Sequence, residues 1–199
     1  MSVIGTSFLE QRVFKSAAVI GNGSMGTVCG LILDGNRCRT TLWGASAPHM
    51  AQLIQLRENR RHLPGYPLPE SMRLTADDAG LFADAELIVS AVPTQFIRPV
   101  WRRLLPHVPA GVPIVSVAKG IENDTLLRPT QVIADVLGKT RSVPLATLSG
   151  PSIADELARR MPATVCAASD AAEFAQRLQK TCTTNWFRVY TNPDLLGVE

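Results

Sequence analysis

An open α/β sheet, largely parallel and wound with helices on both faces, is the fold class that three features of the 199-residue sequence predict. Short apolar runs alternate with helix-like stretches, the pattern of successive β–α–β units. Two of the runs, Leu87-Ile88-Val89-Ser90-Ala91-Val92 and Ile114-Val115-Ser116-Val117-Ala118, are almost continuously apolar. Strands covered on both faces require this. The third feature is a glycine turn, Gly21-Asn22-Gly23-Ser24-Met25-Gly26, set between an apolar strand and a helix.

Taken in order, strands are expected at 17–20, 39–43, 86–92, 112–118, 145–148 and 163–168, where β-branched and apolar residues cluster. The first helix follows the glycine turn over 27–33 and breaks at Gly35-Asn36. Further helices are expected at 50–57, 94–105, 128–137, 152–160 and 171–182. Asp170 is placed to cap the last, Gly138 to stop the helix at 128–137, and Pro144 to precede a strand. Residues 60–72 carry Pro64, Gly65, Pro67 and Pro69 and are expected to form a loop. Residues 1–16 form an N-terminal extension in this scheme. A single nucleotide-binding unit occupies 17–192, and 193–199 begin a second unit.

The G-x-G-x-x-G spacing of Gly21, Gly23 and Gly26 makes the arrangement the doubly wound, Rossmann-type one. Gly21 permits the tight turn, Gly23 leaves room for a pyrophosphate to approach the backbone, and Gly26 lets the helix pack closely on the strand. The free N–H groups at the helix start then favour an anion. Ligands of such sheets lie beyond the carboxyl ends of the strands. Three of those ends carry polar or permissive residues: Val92-Pro93-Thr94, Ala118-Lys119-Gly120 and Ser149-Gly150-Pro151-Ser152.

Composition narrows the function classes. Of the chain, 46% is hydrophobic and 19% charged, enough for one full core. The net charge of +3 is spread out, with small basic pairs at Arg60-Arg61, Arg102-Arg103 and Arg159-Arg160 that read as solvated faces, so nucleic-acid binding is not indicated. No apolar run reaches the roughly 20 residues of a membrane span, and residues 1–15 lack the pattern of a signal peptide. Cys29, Cys38, Cys166 and Cys182 show no C-x-x-C pair and no metal-ligand spacing with histidine. They read as reduced thiols of a cytoplasmic protein, with Cys29 and Cys166 as small core residues. His49, His62 and His107 are dispersed and read as surface or loop residues. Asp77-Asp78 and Glu122-Asp124 read as helix-start or turn carboxylates.

The segments V-I-G-N-G-S-M-G-T, T-L-W-G, A-V-P-T-Q, V-S-V-A-K-G-I-E, L-S-G-P-S-I-A-D-E-L-A-R-R-M-P-A-T-V and F-R-V-Y-T-N-P-D-L-L-G-V-E occur in this order. Together they resemble bacterial NAD(P)-dependent glycerol-3-phosphate dehydrogenase, over residues from about 18 to 199. The resemblance implies reversible hydride transfer between NAD(P)H and dihydroxyacetone phosphate, giving sn-glycerol 3-phosphate for glycerophospholipid synthesis. It also implies that Ser24, Met25 and Ala154 contact NAD or NADP, that Lys119 touches cofactor and substrate, and that Gly150 and Ser152 line the substrate site. A lysine and helix-start donors suit a phosphorylated ketone, which is a dianion near neutral pH. Ser152 also stands where it could cap a helix. Met25 replaces an aromatic residue frequent at that place in the family.

Ala45 stands where relatives often carry the arginine or histidine that meets the adenosine ribose, so the choice of NAD or NADP stays open, with Ser46 and His49 as substitutes. By the same resemblance, the proton-transferring lysine and the helical substrate domain fall beyond Glu199, no catalytic residue is assigned within the chain, and the full-length enzyme is a homodimer. Two other readings stand beside this one. One is another reductase of the fold, such as a ketopantoate reductase or a 3-hydroxyacid dehydrogenase; the other is a nucleotide-binding module without chemistry.

Overall fold

The computed structural model describes residues 13–138 and 141–199; most of the expected N-terminal extension therefore lies outside the described residues. The main sheet opens with β1 (Ser16–Ile20), which is wholly buried. It feeds the glycine turn and α1 (Ser24–Gly35), then β2 (Arg39–Trp43) and α2 (Ala47–Leu56). The short strands β3 (Glu58–Asn59) and β4 (Leu63–Pro67) pair with each other as a separate antiparallel hairpin. The chain returns to the main sheet with β5 (Arg73–Thr75).

The second half runs through β6 (Leu87–Ser90), α3 (Thr94–Leu104), β7 (Ile114–Ser116) and α4 (Pro129–Leu137). It continues through β8 (Leu145–Ser149), α5 (Ala154–Ala158), β9 (Ala163–Ala168), α6 (Ala172–Cys182), β10 (Phe187–Asn192) and α7 (Leu195–Val198). The spatial order is β10-β9-β8-β7-β6-β1-β2-β5. All neighbours are parallel except β8 and β9, so β9 and β10 run opposite to the other six.

Two apolar layers sandwich this sheet. Val28, Leu33, Met50, Val89 and Val115 belong to the layer under α1 and α2, while Trp43, Ile88, Ile97, Trp101 and Ile133 belong to the layer under α3 and α4. Burial on both faces is why the β6 and β7 runs are continuously apolar.

Several expectations need correction. Residues 60–72 are not all loop: β4 carries Pro64 and Pro67, which a two-stranded ribbon tolerates because one edge of each strand needs no ladder donor. β5 and β10 were not anticipated, although Phe187 and Val189 alternate with exposed Arg188 and Tyr190 as a strand requires. The helix expected at 152–160 is shorter, beginning at Ala154, and Ser152 is not its cap. Asp170 does not cap α6 either; Ser169 Oγ accepts from the Ala171 N–H at 3.2 Å instead. Cys29 and Cys166 are half-buried, whereas Cys38 and Cys182 are the fully buried pair; all four are free thiols. Gly138 does terminate α4, with φ +73°.

Candidate functional site

From β1 the chain builds outward through β2 to β5, then returns to β6 on the other flank of β1. The reversal leaves a crevice between β1 and β6, at the edge where the carboxyl ends of β1, β6, β7 and β8 align. The glycine turn lies there. Gly21 has φ +106°, and a Cβ on it would come within 2.6 Å of the Ala91 carbonyl oxygen. On Gly26 a Cβ would lie 1.8 Å from the Gly21 carbonyl oxygen, so α1 seats directly on the turn. Gly23 differs, because a Cβ there meets nothing within 4 Å.

Gly23 caps α1 with no side-chain hydrogen bond, and its carbonyl accepts from the Thr27 N–H at 2.9 Å. The N–H groups of Ser24 and Met25 belong to the first turn, which has no helical partner for its donors and carries the positive end of the dipole. Open space at Gly23 beside a helix start suits an anion such as a pyrophosphate.

The later segments close on the same edge. Lys119, three residues past β7, is exposed and reaches Ser149 Oγ with its Nζ at 3.4 Å. Its main chain is pinned by the Thr94 hydroxyl, which donates to the Lys119 carbonyl at 2.7 Å. Gly150 turns the backbone where a Cβ would meet the Thr164 carbonyl oxygen at 2.9 Å. Ser152 Oγ donates to the Gly150 carbonyl at 3.3 Å. Met25 and Ser152 line one cavity together with Val117 and Leu148. Ala154, which starts α5, packs half-buried against the apolar layer that also takes Met25. Gly21, Gly23, Ser24, Met25, Gly26, Lys119, Gly150, Ser152 and Ala154 thus gather along one edge.

The loop beyond Lys119 is fixed by charge. Arg98 on α3 forms a two-pronged bond to Glu122, with Nη2 to Oε2 at 2.8 Å and Nε to Oε1 at 2.9 Å, and also binds Asp135. The Arg98 guanidinium holds the Glu122 carboxyl below its ordinary range, with the Thr125 hydroxyl assisting. Glu122 is therefore a buried ion-pair member rather than a plain turn residue. Burial pushes the Cys29 thiol up to about 12, which leaves it a neutral packing residue beside Met25.

At the end of β2, Ala45 is exposed. Ser46 is committed to capping α2, its Oγ accepting from the His49 N–H at 3.4 Å. His49 is not a surface residue: it is 9% exposed, with Nδ1 3.1 Å from the Asn22 side-chain nitrogen and its ring edge-on to His62. Burial, with the Arg61 charge adding, lowers its pKa below the ordinary value. Arg103 is not a plain solvated residue either. It binds Asp78 through Nε (2.7 Å) and Nη2 (2.8 Å), lies over the Trp43 ring and donates to the Ala45 carbonyl at 3.2 Å.

Three further residues sit at the edge without having been singled out from the sequence. Asn22 and Asn59 are joined beneath the glycine turn, and Phe96, 61% exposed, stands in the first turn of α3. Phe96 had a signal, a large apolar side chain two residues into a helix that starts at the crevice.

The sheet order, the switch point and the glycine turn define a dinucleotide-binding domain of the dehydrogenase type. A family model described as the NAD-dependent glycerol-3-phosphate dehydrogenase N-terminus matches residues 16–175, and the chain belongs to that family. Among similar proteins, the glycerol-3-phosphate dehydrogenase [NAD(P)+] of Pelotomaculum thermopropionicum is 40% identical over 182 residues, covering 92% of this chain and 52% of that protein. The same-named protein of Streptomyces coelicolor is 41% identical over 183 residues, covering 92% and 54%. The crystal structure of glycerol-3-phosphate dehydrogenase from Coxiella burnetii superposes with a TM-score of 0.86 at 32% identity, over 94% of this chain and 56% of that one. The chain spans about half the length of these relatives.

Proposed function

We propose that this chain is the cofactor-binding part of an enzyme that uses NADH or NADPH to reduce dihydroxyacetone phosphate to sn-glycerol 3-phosphate for glycerophospholipid synthesis. The observation that carries this reading is the shared edge: an open pyrophosphate seat at Gly23 and the Lys119 ammonium beside Ser149 face one crevice. Family membership favours this dehydrogenase over other reductases of the same fold.

In this reading the bound cofactor supplies the hydride. Gly21, Gly23 and Gly26 shape the turn, and the N–H groups of Ser24 and Met25 meet the pyrophosphate. Met25 packs against the cofactor's reactive half from one side and Ala154 bounds it from the other. Lys119 neutralises phosphate charge and steadies the cofactor, while the Gly150 backbone and the Ser152 hydroxyl orient the ketone. Reduction also needs a proton for the developing alkoxide. That task is assigned to the part of the relatives that this chain does not span. The complete enzyme is read as a cytoplasmic homodimer that binds no nucleic acid. Among the described residues no helix is long and apolar enough to cross a membrane.

The test is a steady-state assay following cofactor oxidation. The protein expressed from its complete reading frame is expected to reduce dihydroxyacetone phosphate. The 199 residues alone are expected to bind the cofactor with little or no turnover. Absence of turnover by the complete protein, with cofactor still bound, would favour a module without chemistry. Ordinary turnover by the short chain would contradict the assignment of proton transfer elsewhere.

A further inference from the structure

Beneath the glycine turn lies a buried polar network that none of the roles above uses. Asn59, at the end of β3, is 0% exposed. Its side-chain amide donates to the Asn22 carbonyl at 2.8 Å and to Thr27 Oγ1 at 2.8 Å. Thr27, also fully buried, passes its own hydroxyl proton on to the Gly23 carbonyl at 2.8 Å. Asn59 Oδ1 accepts from the His62 N–H at 3.3 Å, which ties the amide to its own hairpin. On the outer side, the Asn22 amide nitrogen contacts His49 Nδ1 at 3.1 Å and Met50 Sδ at 3.2 Å, both on α2. A Cβ at Gly44 would lie 2.6 Å from Asn22 Cγ, so the end of β2 is shaped to admit that side chain.

Consider what these bonds do to the peptide units of the turn. The carbonyls of Asn22 and Gly23 are drawn inward, onto Asn59 and Thr27. A peptide plane whose oxygen is held inward carries its N–H toward the opposite side. The planes so fixed are those of the Asn22–Gly23 and Gly23–Ser24 peptides, which carry the N–H groups of Gly23 and Ser24. Without Asn59 the Asn22 carbonyl loses its donor and the Asn22–Gly23 plane is free to turn toward water, whereas the Gly23 carbonyl also accepts from the Thr27 N–H at 2.9 Å and stays seated.

We infer that Asn59, acting with Thr27, is a positioning residue: the amide of the β3–β4 hairpin holds the Asn22 carbonyl inward and braces the Thr27 hydroxyl on the Gly23 carbonyl, so that the turn's N–H groups are aligned for a pyrophosphate before it arrives. The hairpin is therefore part of the cofactor site although it lies outside the main sheet. This inference rests on the proposed cofactor role.

Its test uses protein from the complete reading frame, titrated with NADH and NADPH and then assayed with dihydroxyacetone phosphate. Asn59→Asp keeps the side-chain shape and the acceptor for His62 but removes both donated bonds. Cofactor Kd and KM are expected to rise roughly tenfold or more, the scale of one to two lost hydrogen bonds. At saturating cofactor, kcat and the KM for the ketone should stay within about twofold. A residue that only stabilised the fold would reduce the active fraction, and hence apparent kcat, with cofactor KM unchanged. That outcome would overturn the inference. If Asn59→Asp does not fold, Asn59→Ser carries the same test, since the shorter side chain cannot reach the Asn22 carbonyl: a raised cofactor KM supports the inference and an unchanged one overturns it. Failure of the wild-type protein to bind either dinucleotide would instead overturn the underlying functional reading. Wild-type binding that is lost in Gly23→Val but unaltered in Asn59→Asp would overturn the positioning role alone.

Discussion

The two sides of the crevice are built on different plans. On the β1 side the glycine turn is locked: Gly26 is in steric contact with Gly21, and fully buried Asn59 and Thr27 hold the carbonyls at 2.8 Å. On the β7–β8 side, Lys119 is exposed and reaches Ser149 at 3.4 Å, and Ser152 makes a bond of 3.3 Å within its own loop. A rigid seat suits a cofactor whose pyrophosphate must be met by fixed backbone donors. Charged and hydroxyl groups held only by long bonds can exchange those partners for a small substrate that comes and goes.

The contrast breaks most visibly at Gly26. Gly26→Ala places a methyl against main chain that cannot yield, and thermal or urea unfolding should show a loss of about 3 kcal/mol or more. A stability change below about 0.5 kcal/mol would mean the turn is not locked as described. On the other side, Lys119→Met removes an exposed charge. Stability should move by less than about 0.5 kcal/mol. The KM for dihydroxyacetone phosphate should rise between about tenfold and a hundredfold, the worth of a hydrogen bond to a charged group. An unchanged KM would remove Lys119 from the substrate site.

The smallest effect concerns pH. The pKa values of His49 and His62 are both lowered, first by burial and then by neighbouring positive charge: Arg61 for His49, and His49 followed by Arg61 for His62. The unfolded chain, with an ordinary value of 6.5, therefore binds more protons than the native one just below that pH. Stability should rise with pH through this window and be complete above about pH 7, the loss appearing as the pH falls below about 6.5. Urea midpoints measured across that range should show the slope, and His49→Gln should flatten it. An identical slope in the variant would assign the effect to other groups.

Much of the fold was legible because burial on both faces leaves unbroken apolar strings, as in β6 and β7, and because glycine spacing is dictated by contact with backbone. The hairpin was not, since Pro64, Gly65, Pro67 and Pro69 signal chain breaks and a two-stranded ribbon has no apolar repeat to offset them. Nor was Asn59, whose role depends on a partner 37 positions earlier in the chain. His49 could have been read from its own helix, because Met50 and Leu53 share its buried face and His49 to Leu53 is one turn. Of the site itself, the residues expected at the crevice were marked by motifs, whereas Phe96 at the start of α3 carries none. The ones that hold it from beneath carry no motif.

Direct titration of the complete protein with NADH and NADPH, wild type against Gly23→Val, tests most simply whether the open face of the turn seats a pyrophosphate. Gly23 is in extended backbone with φ −68° and nothing within 4 Å of an added Cβ, so valine should leave the unfolding midpoint nearly unchanged. Affinity for both dinucleotides should fall by about a hundredfold or more, because the side chain occupies the space that the pyrophosphate needs. Equal affinity in the two proteins, with the fold intact, would place the cofactor elsewhere and undo the reading of this edge.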